Sequence, residues 1–520
     1  MEDQEKGPAA IDSGINEHGY FLEQPADFIG GIPEPLHISA WFIIVTELCE
    51  RFTYYGASLM FTQYLRLHLK LEKQSSVAIV RGFQFFCYFT TLFGAYVADQ
   101  YLGKYKAITS FACWYLIGTA LLAISALSSL KSSLHLPLFI VSSYLFIGVG
   151  TGGIKANVSA FVAEQVKIGY KPTSTPGIYI DSRSSIERCY RYFYMAINLG
   201  AFTGMLVCPQ IAKNVNYFTA FLIPTVVMAA GVLIFVPGYK FYVKKPIGDS
   251  PFNKVYRCMR HALKNKNPEN QHWLDSSKGL KDGEWNDNFV DGLKRSLRAC
   301  KVFLFYPLYW ALYNNMNDNF INQGLQMDRP SWLSADQLNV LNSGVIVILI
   351  PIFDTLIFPW FSKRGIYLGP IKRIFIGFII VSIGFVYVTV LQKFVYKAGP
   401  FYDFTGPDVS AESYNNISIW WQIPAYLSIG VSEIFASVTG LEYAFSQAPA
   451  ELKSTLTALF LFTNSGGSLI GMILAIWSGD PTVLYTFAAQ SSIMFVVALI
   501  FYRLFKHYDI EVRAQSTYGG

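Results

Sequence analysis

The chain is poor in charge. Asp, Glu, Lys and Arg make up 15% of its 520 residues, against about 25% in soluble globular domains. So sparse a polar surface excludes a large soluble protein. The net charge of +6 is no nucleic-acid signature, because the basic residues gather in a few short gaps. Cysteine is scarce and scattered: Cys49, Cys87, Cys113, Cys189, Cys208, Cys258 and Cys300 share no spacing that suits a metal site or a disulfide framework. They read as reduced packing residues. No nucleophile elbow, phosphate loop or metal cluster sits in a suitable context, so the expectation is not an enzyme and no cofactor. The first 34 or so residues lack an apolar core. They are not expected to be a cleavable leader, and the first apolar run would serve as the targeting signal.

Long hydrophobic runs are what the chain has. It is 52% hydrophobic and 16% aromatic, with a mean hydropathy of +0.32. A bilayer span needs about 20 mostly apolar residues. Twelve candidates follow, at 36–67, 76–99, 105–128, 134–166, 188–212, 216–243, 299–325, 338–361, 368–393, 417–447, 453–477 and 481–508. Lys104, Lys106, Lys167, Lys171, Arg183, Arg188, Lys363, Arg364, Lys372, Arg373, Lys506 and Arg513 fall in alternate gaps and the C-terminal tail. Positive-inside bias then places both termini in the cytosol, although Arg66, Lys70 and Lys73 run against it.

The longest polar stretch, 244–298, divides the spans six and six. The expected organisation is a cytosolic tail over 1–34, a six-helix bundle over 35–243, a cytosolic linker over 244–298, a second bundle over 299–508 and a tail over 509–520. This is an all-α membrane protein with the layout of the major facilitator fold, whose halves rock about a midplane site. In the linker, FNKVYRCMRHALKN (252–265) spaces Phe252, Val255, Tyr256, Met259 and Leu263 as one helical face. It reads as an amphipathic helix on the inner leaflet or as a plain connector. Asn416-Ile417-Ser418 is a glycosylation sequon in an expected outer gap; Asn157-Val158-Ser159 also matches but lies inside a span.

Charges within the spans call for an explanation, since each costs roughly 2.5–3.5 kcal/mol at mid-bilayer on insertion scales. ELCERFTYYG places Glu47, Glu50 and Arg51 inside the first span, with Glu47 and Arg51 on one helix face. Lys155 follows a glycine-rich turn in the fourth span, and Glu433 lies in the tenth. Opposite signs on opposite halves suit a zwitterion: its carboxylate near Arg51 and Lys155, its ammonium near Glu433. A proton moving through the same carboxylates would drive uptake. The alternative is that the charges only hold helices in register.

Several stretches resemble one family. ELCERFTYYG is similar to the ExxERFxYYG motif of the proton-dependent oligopeptide transporters. GAYVADQYLGKYKAI (94–108), GTGGIKANVSAF (150–161), FYMAINLGAF (193–202) and EIFASVTGLEYAFSQAP (433–449) resemble further motifs of that family, in order. The spacing of the halves, without added helices or a large outer domain, looks most like its fungal branch.

The resemblance implies a proton-coupled symporter importing di- and tripeptides by alternating access, with the proton as coupling ion. It would act as a monomer in the lipid bilayer. Glu47, Glu50, Arg51 and Lys155 would serve proton coupling. Arg51, Tyr55, Tyr88, Lys155, Asn198, Asn342 and Glu433 would bind substrate, with aromatic packing the competing role for Tyr55 and Tyr88. Asp99 would serve gating. A plasma-membrane location is expected, with an endomembrane such as the vacuole open. Other readings are a carrier of nitrate or amino acids, or a peptide receptor that does not transport. Two departures from the family stand out. Arg81 occupies the place of a helix-2 histidine found in animal members, and Asn314 that of a common helix-7 acid. Asp318 one turn on reads either as a substitute or as a solvated charge at the helix end.

Overall fold

The computed structural model describes residues 20–21, 25, 27, 30–244, 251–266, 272–279, 284–357, 360, 364, 368–449 and 452–510. Most of the tail expected over 1–34 and of that over 509–520 lies outside the described residues, as do 245–250, 267–271 and 280–283 of the linker.

The apolar runs form helices in chain order: α1 (Ile38–Ser58), α2 (Lys73–Val97), α3 (Gly103–Ser125), α4 (Ser132–Ala163, widened to π geometry over Val141–Gly148), α5 (Ser182–Asn214) and α6 (Tyr217–Phe235). Then come α7 (Pro251–Lys264), α8 (Asp287–Phe303), α9 (Tyr306–Tyr313), α10 (Asn319–Leu325), α11 (Val340–Ile352) and α12 (Pro370–Lys397). The chain ends in α13 (Ile423–Glu433), α14 (Thr439–Gln447), α15 (Lys453–Leu474) and α16 (Val483–Phe505). Local chemistry sets several boundaries. Asp181 accepts from Ser184 N at 2.5 Å, Asn216 from Thr219 N at 2.8 Å and Asn286 from Phe289 N at 2.9 Å, each satisfying a free amide at a helix start. Gly103, at φ 71°, makes the break between α2 and α3 that a Cβ would strain.

Among the described residues, eight helical runs are long and apolar enough to cross a bilayer, and one of them, Lys73–Ser125, contains both α2 and α3. These account for nine of the twelve expected spans. The first span carries the buried charges. The eighth is shorter. The seventh, expected as one helix over 299–325, is in pieces: α8 ends at Phe303, α9 spans Tyr306–Tyr313, and a 3₁₀ turn at Asn314–Asn317 leads to Asp318, whose φ −139° and ψ −75° break the helix before α10.

One apolar core gathers buried residues between Ala40 and Tyr242, and another those between Cys258 and Phe505. The two halves meet where α2 packs along α15 and α5 along α11. Within the first half α2 and α4 touch closely: a Cβ on Gly94 would stand 2.5 Å from the Gly153 Cα, so neither position has room for a side chain.

Within the linker, α7 covers the stretch expected as an amphipathic helix or a connector. α7 is helical, but its Cys258 and Ala262 are fully buried against Leu274, Phe289, Val290 and Leu293 from the turn Trp273–Ser277 and from α8. That part of its apolar face is covered by protein, while Tyr256 and Leu263 stay exposed. Short strands add what an all-helical reading left out. β1 (Gly30–Ile32) pairs in parallel with β3 (Ile178–Asp181), which pairs antiparallel with β2 (Tyr170–Pro172). β4 (Met327–Asp328) pairs with β5 (Asn415–Ser418), and Asn416 on β5 is exposed. The cysteines are free, and five of the seven are buried; Cys113 is exposed and Cys300 half-buried.

Candidate functional site

A cavity of about 430 Å³ lies between the halves. Tyr55, Tyr88, Lys155 and Asn198 line it from the first half, and Asn342 and Glu433 from the second. Sequence reasoning therefore selected six residues that share one chamber. Lys155 projects from the close-packed α4. Its Nζ stands 4.3 Å from the centre of the Tyr88 ring, a cation–π contact. Among the described residues, no carboxylate lies within 4.0 Å of that ammonium.

Across the chamber, Glu433 accepts from Asn342 Nδ2 at 3.0 Å and has Tyr313 beside it, but no cation within 4.0 Å among the described residues. Among the described residues, the carbonyl oxygen of Asn342 has no hydrogen-bond partner. A carboxylate and a carbonyl facing one space suit an ammonium group, just as an unpaired lysine suits a carboxylate. Asn198 bonds its own helix, donating to the Tyr194 carbonyl at 2.8 Å, which leaves its amide oxygen for other donors. Tyr55 meets Tyr54 edge to face, with ring centres 5.2 Å apart.

Glu47, Glu50 and Arg51 are not among the cavity-lining residues. They are 3%, 1% and 4% exposed. Arg51 Nε reaches Glu47 Oε1 at 3.1 Å and also pairs with Glu50, whose other oxygen accepts from Thr151 on α4 at 2.7 Å. The guanidinium is thus occupied by carboxylates of its own helix, while Lys155 is not.

Sequence reasoning missed part of the lining. Tyr54, Gln84, Trp310, Tyr313 and Asn464 contribute to it. Gln84 and Asn464 carried a signal, as lone amides within apolar runs, and Tyr54 stands beside Tyr55 in ELCERFTYYG; Trp310 and Tyr313 carried none beyond their abundance. Asn314 faces no carboxylate role: its Nδ2 donates to Asn464 Oδ1 at 2.9 Å and to Ser468 Oγ at 3.3 Å.

Asp318 is neither at the helix surface nor solvated. It is fully buried and ion-paired with Arg81, which also donates to the Ala311 carbonyl at 3.3 Å. The open alternative of a solvated charge is therefore corrected: the break in the seventh span turns this carboxylate toward a cation of the other half. Further bonds between halves gather at the same end. Thr62 donates to the Asn317 carbonyl at 2.6 Å, Gln63 to Ser334 at 2.9 Å, Lys213 to the Leu333 carbonyl at 2.8 Å, and Lys73 pairs with Asp480 at 3.0 Å. Leu59, Ala201 and Met205 close on Ile321 in an apolar plug. The chamber is sealed at this linker-distal end, and its lining continues through Ser437, Val438 and Leu441 toward the linker end.

The sequence profile described as the POT family matches residues 105–493. Peptide transporter PTR_C of Candidozyma auris is 36% identical over 509 residues, covering 93% of this chain and 88% of the relative. Peptide transporter PTR2 of Saccharomyces cerevisiae is 36% identical over 482 residues, covering 90% and 79%. The crystal structure of the POT family transporter PepTSo superposes with a TM-score of 0.75 at 22% identity, covering 92% of this chain and 99% of that one.

Proposed function

The chain belongs to the proton-dependent oligopeptide transporter (POT) family, and we propose that it is a proton-coupled symporter carrying di- and tripeptides into the cell by alternating access. It is a multi-pass membrane protein. The positive-inside pattern favours cytosolic termini, with the linker-distal end outside and the plasma membrane as its site. One observation carries the substrate class: Lys155, with no carboxylate beside its ammonium among the described residues, and Glu433, with no cation beside it among them, belong to different halves and line one chamber.

A peptide completes both. Its C-terminal carboxylate docks on Lys155 and its amino terminus on Glu433 and the Asn342 carbonyl. Tyr55, Tyr88 and Asn198 flank the backbone. Because a peptide touches both halves, its binding favours the states in which the halves close around it. The Glu47–Glu50–Arg51 cluster supplies the coupling. A proton on either carboxylate weakens its hold on Arg51, and the freed positive charge adds to that of Lys155 for the substrate carboxylate. Loss of the proton restores the internal pair and repels the peptide toward release. A proton brings about 1.4 kcal/mol per pH unit of gradient, and a net positive charge about 2.3 kcal/mol per 100 mV.

Uptake of a radiolabelled dipeptide into proteoliposomes under an imposed proton gradient tests the whole scheme. Accumulation should acidify the lumen and yield to competing tripeptides, not to nitrate or single amino acids. Peptide accumulation without proton entry rejects symport. Binding without accumulation makes the protein a receptor.

A further inference from the structure

A second cavity, of about 340 Å³, lies at the linker-distal end and shares no lining residue with the substrate chamber. Asp336 lines it from the turn before α11. This side chain is 1% exposed, and among the described residues its Oδ1 has no hydrogen-bond partner and no cation lies within 4.0 Å. Its place in the turn is specific. Leu333 accepts through its carbonyl from Lys213, Ser334 accepts from Gln63, and Gln337 accepts from Gln210 at 2.8 Å while donating to the Leu206 carbonyl at 3.3 Å. All four partners belong to the other half. Asp336 therefore sits inside the clasp that holds the halves together at this end, and its burial lasts only while the clasp is shut.

We propose that Asp336 is a further proton-binding site, loaded from the linker-distal side, whose occupancy governs closure of that side. The assignment of this side as the outer one rests on the transport reading above. A buried carboxylate without a cation is costly when ionised. Burial pushes the Asp336 carboxyl up to about 7; the Ser334 side chain, the backbone of residues 336–337 and the charge of Arg329 offset part of that. When the clasp parts, the group meets water and returns toward its ordinary 3.8.

Below pH 3.8 both states hold the proton. Between 3.8 and about 7 only the closed state does, so each unit of rising pH disfavours closure about tenfold. Above 7 neither holds it and the dependence levels off. Closing the outer side thus takes up a proton from that side, which ties proton entry to the step that traps the peptide. Other titratable groups face Asp336 or its cavity: His68 at the end of the first span, Lys213 of α5, Tyr217 of α6, Arg329 and Glu412 from the loops, and Tyr426 of α13. Of these His68 ionises in an overlapping range and must be separated from Asp336.

The test needs no transport. Ser58, in the chamber lining, is replaced by cysteine in the full chain, with Cys113 and Cys300 replaced by serine. A membrane-impermeant maleimide is applied from the linker-distal side between pH 5 and 8. Labelling is divided by that of the same protein carrying Asp336→Asn, which cancels the pH dependence of the thiol. The ratio should rise about tenfold per pH unit up to 7 and then level, and it should do so again with Asp336→Ala as the reference and in the presence of His68→Gln. A flat ratio overturns the proposal. So does a rise that His68→Gln abolishes. Failure of gradient-driven uptake, by contrast, rejects the symport reading and leaves this result standing.

Discussion

Replacing Asp318 by asparagine probes the junction between the halves at its most buried charge. Arg81 and Asp318 have side chains 1% and 0% exposed. Removing one member of a buried pair costs about 3–5 kcal/mol, because the remaining charge stays desolvated. Asparagine keeps the shape and still accepts from the Asn319 amide, so the start of α10 survives. The cost then falls on the state in which Arg81 is held against the other half. At about 1.4 kcal/mol per decade, the balance between closed and parted linker-distal ends shifts by roughly two to four orders of magnitude. Labelling of a Ser58→Cys reporter from that side should rise about a hundredfold or more, and the initial rate of dipeptide uptake should fall. Adding Arg81→Met removes the stranded charge, and protection should return. If Asp318→Asn labels like its parent, the pair does not hold the junction. If the melting temperature drops while labelling is unchanged, the pair stabilises the fold alone.

Three further changes address the chamber and the fold. Lys155→Ala removes the unpaired ammonium and should abolish gradient-driven dipeptide uptake; accumulation equal to the parent's would exclude Lys155 as the carboxylate anchor. Glu433→Gln should weaken peptides with a free amino terminus by about 2 kcal/mol or more, the scale for truncating a desolvated charge pair, and N-acetylated peptides far less; equal losses in competition assays would remove Glu433 as the ammonium partner. Asp509 accepts from the Ile371 and Lys372 amides at 2.9 and 3.0 Å, capping the start of α12. Asp509→Ala should cost about 0.5–2 kcal/mol of stability, seen as a lower melting temperature of the purified protein with peptide affinity unchanged.

Spans were legible because apolar length is a local property. The seventh was not. It opens on the last turn of α8, an amphipathic helix with Arg295, Arg298 and Lys301 along one side, whose Val302 and Phe303 run on without a polar break into the apolar YPLYWALY of α9. In composition the two helices merge. The linker helix was visible in its 3.6-residue spacing, but spacing states only that a face is apolar. It does not tell what covers that face: α8 and the turn Trp273–Ser277 cover Cys258 and Ala262, while Tyr256 and Leu263 stay exposed.

The site divides along the same line between what is local and what is not. A lone charge in an apolar run is visible residue by residue, which is why Lys155 and Glu433 could be placed in one chamber, whereas Asn342 came only with the family resemblance. Pairing is not visible. Arg51 and Lys155 look alike as buried cations, yet Arg51 is consumed by carboxylates within one helical turn, while Lys155 stands on α4 beyond reach of any described acid. Asp318 makes the point most sharply. Its two readings, solvated charge or buried partner, differ only in whether a cation waits across the junction. That cation is 237 residues away in sequence, on a helix of the other half. Where a charge is spent depends on which helices meet, and in a protein that works by parting and rejoining its halves, those distant meetings are the working parts.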